Sequence, residues 1–270
     1  MKLFTSFLLL TGSFFLYPLP DTFDPEAGLI AYYSFNECDA RDDTGNGSDG
    51  ILNGAVSCYC GIEDDGLEFD GAASYVEFTG KVNRYFTTSD LTISFYIRPM
   101  RKTAFPQSLL SKRPNCTEHQ MLDLRLNTAL NHIDVDFYET PDKYFKDLSP
   151  PLDTSAWIHF ALVREGNRAF TYINGNLRQE SFRCSGVDIS NDALLSFSNS
   201  ACMRGGRTAA FKGILDELRI YDRVLSHEEV RQLYELYPVH SPELDCYVMA
   251  PQKRPGTLPN PFETDYLCAD

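Results

Sequence analysis

The sequence predicts an all-β fold, a two-sheet antiparallel sandwich with one short C-terminal helix. Three observations carry this expectation. From Leu29 onward apolar residues recur at every second position rather than every 3.6. Turn-forming Gly and Asn residues punctuate the chain, and only one late segment has helical periodicity. Hydrophobic residues make up 43% of the chain, ample for a core, so disorder is not the default.

Leu91, Ile93, Phe95 and Ile97 alternate with Thr92, Ser94, Tyr96 and Arg98. Leu122, Leu124 and Leu126 alternate with Asp123 and Arg125, and Ile133, Val135 and Phe137 alternate with Asp134 and Asp136. Each is expected to be a strand with one face in the core and one toward water. Strands over 157–164 and 168–173 are joined by Glu165-Gly166-Asn167. Asn174-Gly175 follows, the pair that best tolerates the two positive φ angles of a type I′ hairpin. Ser226-His227-Glu228-Glu229 matches a capping box, with Leu225 and Val230 placed as a hydrophobic staple. Val230, Leu233 and Leu236/Tyr237 then form an apolar stripe that Pro238 ends.

The termini differ from this body. Lys2 precedes an apolar run from Leu3 to Tyr17, which Pro18 and Pro20 close and Asp21 and Asp24 follow. That order predicts a secretory signal peptide over 1–20, shorter than the roughly 20 apolar residues of a membrane span. The domain is expected over 28–237, and a Pro-rich C-terminal tail or linker over 238–270. After signal removal the sequence predicts no transmembrane segment and a secreted, extracellular protein. With 24 basic and 38 acidic residues the net charge is −14, which repels phosphate backbones and argues against nucleic acid as a partner.

Eight cysteines behind an apparent export signal read as disulfides. Zinc would prefer C-x2-C knuckles, and Cys58-Tyr59-Cys60 has the wrong spacing. Sequence does not determine the connectivity. Proximity alone pairs Cys184 with Cys202 and Cys246 with Cys268. Cys38 then pairs with Cys58 or Cys60, leaving the other for Cys116.

Several phrases, in order, resemble one known family. Gly28–Phe35 is similar to the opening strand of laminin-G-like jelly rolls of the concanavalin A-like lectin/glucanase superfamily, also called pentraxin-like domains, and Asp43–Gly50 to the loop that follows it. Leu67–Gly71 with Tyr75-Val76 resembles the next hairpin, and Leu91–Pro99 the long strand through the core. Trp157–Val163 with Tyr172–Gly175 resembles the central hairpin, and Phe211–Ser226 the last strand and the entry to the closing helix. The resemblance covers about residues 28–237 and implies a jelly-roll sandwich. It implies less about function, because the superfamily includes lectins, adhesion modules, sialidase appendages and glycosidases.

The resemblance also implies that the Asp43–Gly50 loop and Asp216 lie close together. Asp43, Asn46, Asp49 and Asp216 are therefore candidate Ca2+ ligands, hard oxygen donors of the kind calcium takes; the alternative is a plain Asx/Gly turn. A sugar platform would need Tyr or Phe, because Trp157 is expected in the core; Tyr59, Tyr96, Tyr138 and Tyr172 are available, and no sugar contact is assigned. Retaining glycosidases need two carboxylates about 5–5.5 Å apart. Asp134-Val-Asp136 and Asp216-Glu217 do not make that arrangement and read as solvated outer-face acids. The five His residues show no metal spacing, no Gly-x-Ser-x-Gly elbow is present, and Arg204-Gly-Gly-Arg207 reads as a surface turn. Asn46-Gly-Ser48 and Asn115-Cys-Thr117 are glycosylation sequons. The expectation is a secreted, non-catalytic recognition or adhesion module for a glycan or an extracellular protein. The alternatives are a glycan-processing enzyme of the same superfamily or a purely structural extracellular domain.

Overall fold

The computed structural model describes residues 23–183 and 185–239. The expected signal peptide, the expected tail beyond Val239, and Cys184, Cys246 and Cys268 lie outside the described residues. β1 (Leu29–Tyr33), β2 (Gly50–Asn53), β3 (Ser57–Cys60), β4 (Asp65–Asp70) and β5 (Tyr75–Phe78) precede the long β6 (Leu91–Pro99). β7 (Gln107–Lys112), β8 (Met121–Asn127), β9 (His132–Thr140) and β10 (Lys143–Leu148) follow. Then come β11 (Ile158–Glu165), β12 (Arg168–Ile173), β13 (Asn176–Phe182), β14 (Leu195–Phe197) and β15 (Lys212–Tyr221). The single α-helix among the described residues is α1 (His227–Leu236).

The strands form two antiparallel sheets, as a sandwich requires. The first has the order β13-β12-β11-β6-β15-β4-β3, with β1 also paired to β15. The second has the order β10-β9-β8-β7-β14-β5-β2. Between them lies one apolar core, to which Leu67, Phe69, Phe95, Phe160 and Leu162 contribute from the first sheet. Leu122, Leu124, Val135, Phe137 and Phe197 contribute from the second. The hairpin at Asn174-Gly175 has φ of 50° and 70°, as a primed turn demands.

β15 organises the first sheet. Its one edge pairs with β6; its other edge pairs with β4 over Lys212–Leu215 and with β1 over Leu218–Tyr221. At the handover the register shifts and Glu217 takes φ 53°, a bulge. The gap between the ends of β1 and β4 would leave amides of the 61–64 turn unpaired. Asp216, fully buried, closes it: Oδ2 accepts from Ile62 N (2.6 Å) and Glu63 N (3.3 Å), and Oδ1 from Glu217 N (2.8 Å). Glu217 accepts from the Tyr32 hydroxyl (2.7 Å) and pairs with Arg219 (2.5 Å), whose guanidinium lies 4.2 Å from the Tyr32 ring centroid. The Asp216-Glu217 pair is therefore not a solvated outer-face feature but a buried joint.

The strands were expected to wet one face, yet β6 and β11 are buried almost throughout on both. The reason is α1. Its Val230 and Leu233 pack on Ala161, Val163, Phe170 and Tyr172. Tyr234 and Tyr237 cover Tyr96, Trp157 and Ile214, so Trp157 is indeed a packing residue. Of the Leu236/Tyr237 position expected to end the apolar stripe, Tyr237 packs while Leu236 is exposed, and Tyr234 joins the stripe. Beneath them His159 is fully buried with Nε2 2.9 Å from Ser94 Oγ; burial pushes its pKa down to about 3, so it is neutral. The capping box forms as predicted, with Glu229 N donating to Ser226 Oγ (3.2 Å) and Ser226 N to the Glu229 carboxylate (2.8 Å).

Two stability outcomes follow from this framework. A Cβ at Gly61 would overlap the Asp216 carboxylate and crowd the Asp65 carbonyl at 2.9 Å. Gly61→Ala should therefore cost about 1–3 kcal/mol in denaturant unfolding. Ser226→Ala should cost about 1 kcal/mol through loss of the cap alone.

Candidate functional site

Among the described residues, no helix lies over the outer face of the second sheet, and its composition is unlike that of the first. Strand register places one residue from each strand in a single row: Ile51, Glu77, Ser196, Ser111, Asp123, Asp136 and Lys146. Six of the seven are polar or charged. Because side chains alternate along a strand, all point away from the core that Leu122, Val135, Phe137 and Phe145 occupy. One step along, Met121, Tyr138 and Tyr144 form an adjacent row, with the two tyrosine rings stacked at 4.8 Å and an interplanar angle of 16°. Tyr138 is buried, while Tyr144 leaves 39% of its surface to solvent.

Charge on this face is organised by two arginines. Arg125 lies 2.5 Å from Asp136, 3.5 Å from Asp134 and 3.8 Å from Asp123. Arg113 donates to Asp123 (2.8 Å) and to the carbonyls of Asn115 (2.9 Å) and Thr117 (2.8 Å), which holds the loop after β7 over the sheet. Asp123, Asp134 and Asp136 are thus buried and arginine-bound, not the solvated acids their alternating pattern suggested. Burial raises the Asp136 pKa to about 6 against the pull of Arg125 and Lys146. One Asp136 oxygen and the Arg125 Nε have no hydrogen-bond partner among the described residues.

A disulfide builds the walls. Cys116 in the loop after β7 is bonded to Cys202 in the loop after β14. Proximity in sequence had paired Cys202 with Cys184. The bond instead joins two loops that meet because β7 and β14 are neighbours in the sheet. Cys60 is likewise in a disulfide but is not the partner of Cys116. Cys38 pairs with Cys58, one of the two options left open. The Cys116–Cys202 bridge stands in a groove along the polar row. On one side is a cavity of about 640 Å³ with Glu77, Ser111, Ser196, Asn115 and Arg204 in its lining. On the other is a cavity of about 390 Å³ lined by Glu118, Met121, Arg125, Asp136, Lys146 and Arg207. Arg113 and Cys116 line both. These volumes lie within the range of about 300–1,000 Å³ of small-ligand clefts. The Arg204–Arg207 loop, read from sequence as a surface turn, contributes to both walls.

The expected calcium ligands are not brought together as a set. Asp42, which was not singled out, organises the loop by accepting from Tyr32 N, Thr44 and Ser48 N. Asp43 accepts from Ser34 N (2.9 Å) and Ser34 Oγ (2.7 Å), Asp49 accepts from Asp42 N (2.9 Å), and Asn46 donates to Ile30 O (3.2 Å). Asp216 faces the 61–64 turn instead. Among the described residues, the one trio of His, Cys, Asp or Glu ligand atoms within 4.8 Å of one another is Cys38, Cys58 and Asp65, and its two sulfurs are bonded to each other. Both sequon asparagines, Asn46 and Asn115, are exposed. No described helix is long and apolar enough to cross a membrane.

The Arg125 contacts give a direct expectation. The Asp136 carboxyl should titrate near pH 6 by carbon-detected NMR. Because its folded pKa lies above the unfolded value of about 3.9, its contribution to stability is fully present below that value. The contribution is lost as pH rises through about 6. Arg125→Gln should move the midpoint higher still, since the arginine pulls it down.

Comparison with known proteins agrees with this architecture. Residues 70–231, more than half of the chain, match a laminin-G family model described as concanavalin A-like lectin/glucanases superfamily. No curated protein matches in sequence. Among solved structures, the binding domain of Paraclostridial Mosquitocidal Protein 1 superposes with a TM-score of 0.66 at 16% identity, over 78% of this chain and 53% of that one. Domain 4 of AbnA, a GH43 extracellular arabinanase from Geobacillus stearothermophilus solved with arabinotriose, gives 0.60 at 20% identity over 76% and 98%. The binding domain of Botulinum neurotoxin DC, solved with rat synaptotagmin II, gives 0.62 at 13% identity over 78% and 52%. This chain therefore spans about half the length of the toxin binding domains and the breadth of the arabinanase domain. With the sandwich, the register of its sheets and the family match in agreement, the chain belongs to the concanavalin A-like lectin/glucanase superfamily.

Proposed function

We propose that this chain is a secreted, non-catalytic recognition module that binds a glycan on the outer face of its second sheet. The observation that carries the reading is the juxtaposition of the polar row with the stacked Tyr138–Tyr144 pair, beside walled cavities of monosaccharide-to-disaccharide scale. Sugar hydroxyls need both donors and acceptors, which Arg125, Asp136 and the serines offer. The apolar face of a pyranose needs a flat ring, which Tyr144 presents at the edge. The described disulfides fit an oxidising compartment. Support also comes from the arabinanase domain solved with an oligosaccharide. The neurotoxin domain solved with synaptotagmin II favours a second reading, an extracellular protein ligand on the same face.

Glycan processing is disfavoured by the same residues. Asp123 and Asp136 are cross-strand partners, a placement from which carboxylate chemistry could arise. Asp123, however, is fully buried and bound by Arg113 and Arg125, which leaves Asp136 without it as a second carboxylate to act on a substrate. Calcium is a separate and narrower proposal, a brace on the Asp43, Asn46 and Asp49 loop without Asp216.

The test is a glycan and matrix-protein array probed with the oxidised chain, in calcium and in EDTA. Glycan binding that Tyr144→Ala weakens about tenfold is expected, with no release of sugar from bound glycans. Binding only to proteins would favour the second reading, and binding unchanged by Tyr144→Ala would move the site elsewhere. A melting temperature that EDTA leaves unmoved would remove the calcium brace.

A further inference from the structure

We propose that Cys60 is bonded to Cys246, so that the chain beyond α1 is a covalent part of the first sheet rather than a linker leaving it. Cys60 ends β3, an edge strand of that sheet, and it is in a disulfide. Cys38 is bonded to Cys58 and Cys116 to Cys202, which leaves Cys184, Cys246 and Cys268. The sheet itself excludes Cys184. Its neighbour Arg183 extends the pairing of β13 with β12, Arg183 N donating to Asn167 O (3.0 Å) and Asn167 Nδ2 to Arg183 O (2.7 Å). β13 is the opposite edge, six strand spacings from β3, or roughly 28–29 Å across. The Cys184 α-carbon is only about 3.8 Å from that of Arg183, whereas a disulfide needs α-carbons roughly 4.4–6.8 Å apart.

The choice between the other two cysteines follows from where α1 delivers the chain. Val239 N donates to the Tyr234 hydroxyl (3.1 Å), and Val239 packs on the cluster of Tyr96, Trp157 and Ile214. Tyr59 and Ile62, which flank Cys60 in sequence, pack on the same cluster. Cys246 follows Val239 by seven residues and Cys268 follows it by 29. Seven residues reach up to about 23–25 Å, ample for two points on one cluster. Closure falls off roughly as the 3/2 power of the length to be closed, which favours the nearer cysteine about eightfold. Cys184 and Cys268 then remain for each other, with 22 residues between Cys246 and Cys268 to cross the sheet. The bond forms as the two thiols give up two protons and two electrons to a disulfide oxidant, which is reduced to its dithiol. It closes the chain around α1 and holds Tyr234, Tyr237 and Val239 over Trp157, the single Trp of the sequence.

The experiment maps the disulfides of the full chain, oxidised and shown to be folded. The protein is alkylated and digested without reduction by trypsin and chymotrypsin, whose cut after Tyr59 separates Cys58 from Cys60. Mass spectrometry should find the Cys60 peptide joined to that of Cys246, and the Cys184 peptide joined to that of Cys268. Cys60→Ser should leave one alkylatable thiol, at Cys246, and Cys246→Ser should leave one at Cys60. Both variants should melt below the wild type. Their Trp157 emission should shift to the red and be quenched more strongly by acrylamide, because the cover over the ring is loosened. Cys60 joined to Cys184 or Cys268, or Cys246 joined to Cys268, overturns the pairing, and the wild-type map decides this even where a variant fails to fold. Trp157 emission unmoved by Cys246→Ser overturns the role of the bond in holding the chain over the cluster.

Discussion

The architecture depends on one strand serving two partners in succession along the same edge. β15 can hydrogen-bond to β4 and then to β1 only if the chain breaks register between them, and the break leaves backbone amides facing a buried gap. A water-filled gap would weaken the centre of the sheet, and an apolar side chain would leave the amides unmet at a cost of about 1–3 kcal/mol each. A buried carboxylate solves the problem because it accepts from several amides at once. Asp216 does so for Ile62, Glu63 and Glu217. Glu217, displaced by the bulge, is neutralised by Arg219. The cost is a buried charge cluster, which the Tyr32 hydroxyl and ring help to offset.

That joint also explains the difference between the two faces of the molecule. With β15 central and α1 following it directly, the helix lies back over β11 and β12, and the outer face of the first sheet becomes a second core. Among the described residues, the second sheet receives no such helical cover. Its outer face is shaped instead by loops, held down by Arg113 from below and by the Cys116–Cys202 bridge from the side. One face is built for packing, and the other carries the polar row and the cavities beside it.

The local features of the fold were legible in the sequence because they depend on neighbours along the chain. Alternation at 91–97 and 122–137, the Asn174-Gly175 turn and the Ser226 capping box all declare themselves within a few residues. The polar face was not legible, because its row takes single residues from seven strands whose order in the sheet differs from their order in sequence. Nothing near Ser111 or Ser196 marks them as neighbours of Asp123 and Asp136. Asp134 and Asp136 looked solvated because alternation reports which face a residue takes, not what covers that face. Arg207 lay in what read as an ordinary turn. The Cys116–Cys202 bond, between residues 86 apart, and the pairing of Ala209 with Gln107 hold that turn at the groove. Asp216 was noticed as an acid on the last strand, but its partners at 62 and 63 lie some 150 residues earlier.

The same bridge has a mechanical consequence. A covalent link between Cys116 and Cys202 closes the intervening stretch, from β8 through β14, into a loop. Under tension that stretch cannot be drawn out to its full length while the bridge holds. At 86 residues and about 3.3–3.6 Å each, full extension falls short by roughly 280–310 Å. A stretched molecule would therefore hold β8, β9, β10 and β14, four of the seven strands of its second sheet, within a covalently closed loop.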